Sequence, residues 1–306
     1  MKIGLHLYGI GTFNMGIGYN VQGDELVAMG LQEYLRREEG VEEVILLGPE
    51  DNLSHDLDVV IHFNPLLKNY DKVKNVLYFI NVFPEPYWKG GTIGQFNENK
   101  LKYDGFMFTC KKVMEKCCEG LVIPFATDPE RFNPQSVTEG FYNQVPISFV
   151  GNDLRGETLN KKYFYPAIPL GLKIWGKTPW QPPLEEIRQG GLPLEDMAKL
   201  YTNSIINLNV HILEHIEYGT INARIFDILA CGGFILSDYS QGVEEVFGDS
   251  IAYTEGDDDT KNKIAYYFEN EEERKRRSEE GKKIVLSDHT YEVRAKSIIK
   301  YLKEIL

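Results

Sequence analysis

Apolar residues along this chain fall into short, nearly unbroken runs set apart by stretches with a helical rhythm. In the first half the runs are KIGLHLYG, EVILLG, DVVIHF, NVLYFINVF, GFMFTC and GLVIPF. Asp24 to Arg37 places Leu26, Val27, Met29, Gly30, Leu31 and Leu35 at helical spacing between the first two. Strands that are apolar on both faces and alternate with helices predict a parallel sheet covered on both sides. The segment ATDPERFNPQSVTEGFYNQVP then breaks the rhythm with three prolines and no sustained period, as a linker does. The alternation restarts with ISFVGND, LKIWG, SIINLNV, FILSD and SIAYTEG. Two α/β units in series, 1–143 and 144–289, are therefore expected, with a cleft between them. A last amphipathic helix over 290–306 carries Tyr291, Ala295, Ile298, Ile299, Leu302 and Leu306 on one stripe. The preceding EEERKRRSEEGKK reads as a solvated helix face.

Composition narrows the function classes. A chain of 306 residues is long enough for two domains, and 42% hydrophobic content supports real cores. The net charge of −13 disfavours general binding to nucleic acid, whose phosphates it would repel, but leaves room for one local anion pocket. No run approaches the roughly 20 apolar residues of a membrane span, and no secretory leader is visible at MKIGLHLYGI. Cys110, Cys117, Cys118 and Cys231 show no framework spacing, which suits reduced thiols in the cytoplasm.

The chemistry concentrates in GTINARIFDILACGGFILSDYSQGVEEVFG, from Gly219 to Gly248. A helix with Thr220 as its N-cap would set Thr220, Arg224 and Asp227 along one stripe of an otherwise apolar surface. An Arg224–Asp227 ion pair is one reading, although it runs against the helix dipole. The other is a ligand: an arginine and free N–H groups at the helix start suit a phosphate, and a carboxylate one turn later suits a sugar diol. FVGNDLRGE adds Gly151, Asn152 and Arg155 just beyond a strand, where open α/β sheets bind ligands. RQGGLPLEDMAKLY brings Gly191 and Leu192 to a helix entry.

NARIFDILACGGFILSDY, GVEEVFG and the late HTYEVRAKSIIKYL resemble the spore-maturation CgeB-like glycosyltransferases, which have the GT-B fold. VIPFATDPERFNP is similar to the segment that leads between the domains of many GT-B enzymes. The resemblance implies two Rossmann-like α/β/α domains facing each other across a cleft, the first for an acceptor and the second for a nucleotide-sugar donor. It also implies a last helix that packs back on the first domain. Arg224 and Arg155 would hold the diphosphate of a UDP-, GDP- or dTDP-sugar, with Gly151, Asn152, Gly191, Leu192, Thr220 and Asn222 around it. Asp227, one methylene shorter than the family's glutamate, would hold the ribose. Gly219 stands where retaining relatives carry a first acid, leaving His211, Glu214 or His215 for the sugar hydroxyls. The implied activity is sugar transfer to an unidentified acceptor with no bound metal, by a protein without a transmembrane segment for which peripheral membrane contact stays open. A GT-B nucleotide-sugar epimerase and a non-catalytic nucleotide-sugar-binding protein are the alternatives.

Weaker signals complete the reading. If the reaction inverts, a base is needed from the first domain, and Glu85 (in NVFPEPYW) and Asp24 are the candidates. His211 and His215 have the spacing of metal ligands but lack an identifiable third. Asp257 to Asp259 suit a helix start better than a metal–diphosphate motif. The glycine-rich YGIGTFNMGIGYN lacks the full dinucleotide fingerprint.

Overall fold

The computed structural model describes residues 1–8, 23–52, 56–80, 82–83 and 89–306. The chain divides into two compact units. Unit 1 holds the described residues up to Ala126 together with Thr290–Leu306, and unit 2 holds Thr127–His289.

The sheet of unit 1 has six strands in the order β2-β1-β3-β4-β5-β6. They are β1 (Lys2–His6), β2 (Glu43–Leu47), β3 (Val59–His62), β4 (Lys74–Phe79), β5 (Gly105–Phe108) and β6 (Leu121–Val122). All pairings are parallel. Parallel strands need crossovers that cover both faces, which is why β1 and β3 are buried almost throughout.

The C-terminal helix Tyr291–Ile305 returns to this unit and lies on helix Gly23–Leu35, burying Tyr291, Ala295, Ile298, Ile299 and Leu302 in its core. A Cβ on Gly30 would overlap the Tyr291 ring, so the glycine permits the helices' close approach. Polar contacts fix the same helix. Arg294 donates from Nε to the Pro124 carbonyl at 2.8 Å and from Nη2 to the Phe125 carbonyl at 3.1 Å. The Tyr301 hydroxyl accepts the Phe106 N–H at 2.9 Å.

Unit 2 carries a five-stranded parallel sheet ordered β11-β10-β9-β7-β8. Its strands are β7 (Val145–Val150), β8 (Leu172–Trp175), β9 (Ser204–Asn209), β10 (Ile235–Asp238) and β11 (Ala252–Thr254). The boundary drawn at 143/144 from the proline-rich stretch falls inside this unit, and the division lies at 126/127. The stretch is bound down along its length. The Gln135 N–H donates to Thr202 Oγ1 at 3.0 Å, Asn203 Nδ2 donates to the Gln135 carbonyl at 2.8 Å, and Phe132 packs on Tyr201. Prolines mark the absence of regular structure, not the absence of contacts.

Candidate anion-binding site in unit 2

The site is built at the C-terminal ends of β7, β9 and β10. Strand β7 ends in Val150, and the turn that follows is shaped by glycine and asparagine. A Cβ on Gly151 would stand 3.0 Å from Arg224 Nη2 and 3.1 Å from Phe149 Cε1, so only glycine leaves the guanidinium room. Asn152 Oδ1 accepts the N–H groups of Lys177 and Thr178 at 3.1 and 3.2 Å, fastening the turn after β8 to the turn after β7.

Phe149 is the platform. The Arg155 guanidinium lies 4.6 Å and the Arg224 guanidinium 4.5 Å from its ring centroid. The ring face attracts both cations, but among the described residues no carboxylate comes within ion-pair distance of either, and Nη1 of Arg224 is buried without a hydrogen-bond partner. Burial, then the neighbouring Arg224 charge, push the Arg155 pKa down to about 9. Burial pushes Arg224 down to about 10. Both remain cations at neutral pH, two like charges converging with no counterion among the described residues.

Arg155 is aimed by the backbone. Its Nε donates to the Val210 carbonyl at 2.6 Å and its Nη1 to the Asn152 carbonyl at 2.8 Å. The peptide that supplies the Val210 carbonyl also supplies the His211 N–H, which donates to Asp238 Oδ2 at 2.9 Å, while His211 Nδ1 lies 2.7 Å from Asp238 Oδ1. The peptide is thus polarised between guanidinium and carboxylate, and hydrogen bonds in such a chain strengthen one another. Asp238 acts on Arg155 at one remove, through this peptide.

Ser237 Oγ accepts from Asn209 Nδ2 at 2.9 Å, and Asn222 Nδ2 donates to Asn209 Oδ1 at 3.1 Å. His215 Nδ1 then donates to Asn222 Oδ1 at 2.8 Å. Burial, followed by His211 and helped by both arginines, depresses the His215 pKa to about 3, so this ring is neutral.

The expected residues take different places in this frame. Arg155 and Arg224 come together; Gly151 and Asn152 shape the turn beside them. The helix runs Ala223–Ala230 with Asn222 at its N-cap, so Thr220, expected there, lies before the helix and is fully buried. Arg224 sits in the first turn and Asp227 one turn later. Asp227 is buried and accepts from Thr127 Oγ1 at 2.8 Å, and burial lifts its pKa to about 8. No ion pair joins Arg224 to Asp227 among the described residues. Leu192 is wholly buried in the core, whereas Gly191 is exposed.

His211 precedes the helix Leu213–Tyr218 and is engaged by Asp238, so the two histidines do not share a helical face. Among the described residues no three His, Cys, Asp or Glu side chains form a group that could hold a metal ion. Asp257 to Asp259 open the helix Asp257–Glu269, with Asp259 accepting the Glu255 N–H at 2.9 Å. In unit 1, Asp24 lies in the first turn of its helix and is half-buried. Glu85 and the glycine-rich YGIGTFNMGIGYN, apart from Tyr8, lie outside the described residues.

Phe149, His211 as partner of Asp238, and Asp238 itself are the contributors that sequence patterning overlooked. The one signal for Asp238 was its place as the last residue of an apolar strand run.

Residues 157–300 match the model of a glycosyl transferase-like family. No curated protein matches the chain. Among solved structures, sucrose-phosphate synthase from Thermosynechococcus elongatus superposes with a TM-score of 0.70 at 10% identity, over 100% of this chain and 99% of that one. Anabaena HepE, solved in complex with UDP and glucose, gives a TM-score of 0.66 at 10% identity over 99% of each chain. AviGT4, a glycosyltransferase involved in avilamycin A biosynthesis, gives 0.64 at 13% identity over 100% and 98%. The fold is GT-B. Within it, the matched family segment contains Arg224, Asp227, His211 and Asp238, and begins two residues after Arg155.

Proposed function

We propose that the protein is a glycosyltransferase whose unit 2 binds a nucleoside-diphosphate sugar, with Arg155 and Arg224 on the diphosphate. The observation that carries this reading is the pair of guanidiniums stacked on Phe149 with no carboxylate partner among the described residues. Cations taken out of water without compensation are costly, and a bound diphosphate would supply the missing charge. The family match over 157–300 and the UDP bound by HepE support the ligand class.

In transfer, the bond from the sugar's anomeric carbon to the leaving diphosphate breaks and negative charge grows on the diphosphate oxygens. Preorganised cations stabilise that charge, and losing one such donor costs about 3–4 kcal/mol of barrier stabilisation. The arginines can do this without a bound metal. Asp227 faces the ribose in this proposal, with Thr127 holding one carboxylate oxygen. Unit 1 receives the acceptor, and the reaction runs in the cytoplasm.

Titration calorimetry with UDP, GDP and dTDP and their sugars tests the donor site, and product analysis with EDTA present tests the chemistry. Submicromolar to micromolar binding of one diphosphate, with metal-independent release of it from its sugar, is expected. Absence of binding by all three would overturn the reading. An isomerised donor would make the protein an epimerase; binding without turnover would leave a carrier.

A further inference from the structure

Unit 1 contains a polar cluster that sugar transfer does not use. His6 ends β1 and His62 ends β3, and the parallel register places the two side by side. Both are fully buried. Their partners determine which ring nitrogens carry protons. His6 Nε2 stands 3.1 Å from the Gly48 carbonyl oxygen, which can only accept, so this nitrogen donates. His62 Nε2 stands 2.9 Å from Asn75 Oδ1. That amide is held in one orientation, because its Nδ2 donates to the Tyr70 and Val73 carbonyls at 2.9 and 3.1 Å while its Oδ1 accepts the Tyr70 N–H at 3.1 Å. His62 Nε2 therefore donates as well. With both Nε2 atoms protonated, two neutral rings would turn bare Nδ1 lone pairs toward each other, and those atoms are 3.0 Å apart. Two acceptors at hydrogen-bond distance repel. One added proton converts the contact into a charge-assisted N–H···N bond.

We propose that His6 and His62 form a buried proton-binding site that holds three protons on four ring nitrogens, an imidazole–imidazolium pair. The bound proton ties together four strands, through Gly48 just after β2, through the β1–β3 contact itself, and through Asn75 near the start of β4.

Burial, the largest influence on each ring, works against the charge, and the surroundings taken together push His6 down to about 4 and His62 to about 3. The lone-pair conflict works for it, and the pair titrates as one unit. Of the charged groups that face the pair, Asp51 favours the proton and Lys68 opposes it, and both are exposed. The rings of Tyr70 and Tyr103 close the remaining sides, with Tyr70 5.2 Å from His6 and Tyr103 5.5 Å from His62 between centroids. Burial raises both phenols above their ordinary value, so they add no charge.

The sign of the pH dependence separates the two descriptions. A proton held above the unfolded histidine value of about 6.5 stabilises the fold fully below that pH, and the contribution is lost as pH rises through the folded value. Two histidines merely depressed by burial would destabilise the fold as pH falls below about 6.5.

The direct experiment uses the full chain labelled with 15N-histidine, and long-range 1H–15N spectra at neutral pH. Three protonated nitrogens and one bare nitrogen are expected for the His6–His62 pair. Two of each overturns the proposal. Denaturant unfolding of the wild type and His6→Asn between about pH 6 and pH 9 adds a second reading. The wild type should lose stability relative to the variant as pH rises; parallel curves, or the reverse slope, also overturn it. Should the variant fail to fold, the spectra of the wild type decide alone.

Discussion

A buried guanidinium must meet its charge somewhere, and at Arg155 and Arg224 the described residues supply an aromatic face and backbone carbonyls but no carboxylate within ion-pair distance. Each charge-assisted contact to a ligand is worth about 1.5–3 kcal/mol. Arg224→Ala and Arg155→Ala should therefore weaken nucleoside diphosphate binding about tenfold to a hundredfold by calorimetry. They should leave melting unchanged or raise it, because an unpaired charge has been removed from the interior. Early melting with normal binding would make the arginines structural. Asp227 predicts a different pH signature. Its carboxyl is held protonated up to about pH 8, far above the unfolded value, so its contribution is fully present below about pH 4 and is lost as pH rises through 8. Asp227→Asn should remove that slope from urea unfolding measured across this window, and an unchanged slope would place the burial cost elsewhere. The arginines were legible because a cation on an apolar helix, and another just beyond a strand, are chemically conspicuous. Asp238 and His211 were not: they stand 27 positions apart, and only the adjacency of β9 and β10 brings them together. Sheet order is a tertiary fact that local pattern does not encode. The contact of Asp227 with Thr127 was hidden for a related reason, since the two are 100 positions apart.

Among the elements, the strands were the most readable, because a parallel sheet covered on both faces leaves a continuous apolar run for each. Each of the eleven runs overlaps a strand of the structure. The irregular helical stretch from Gly156 to Leu170 escaped notice, since two prolines and a short turn with wide hydrogen bonding interrupt its period. The last helix was visible as an amphipathic stripe, but what it covers could not be read from the stripe alone. Its anchorage to the Pro124 and Phe125 carbonyls and to the Phe106 N–H shows that it completes the core of unit 1. Removing Tyr291–Leu306 should therefore expose helix Gly23–Leu35 and β1 to amide exchange while the sheet of unit 2 keeps its protection. Uniform loss of protection, or none, would contradict that assignment. Phe226 and Phe247 of unit 2 pack on His289, two residues before the truncated segment, so the cut leaves that cluster intact.

At the scale of the molecule, the formal charge of −13 and the two arginines on Phe149 would act on the proposed anionic donor with opposite signs and over different distances. The net charge repels a nucleoside diphosphate from afar, and salt screens it readily: the Debye length falls from about 30 Å at 0.01 M to about 8 Å at 0.15 M. The guanidiniums on Phe149 act at contact from a partly buried site, where screening is weaker. Raising the salt through this range should accordingly speed association of the diphosphate in stopped-flow measurements, with dissociation changed little. Affinity should hold or improve, against the steep fall expected of a binder that works through exposed lysines and arginines. The sign is what matters. A tenfold loss of affinity over that range would mean that surface cations capture the donor, and the buried pair would then no longer account for its binding.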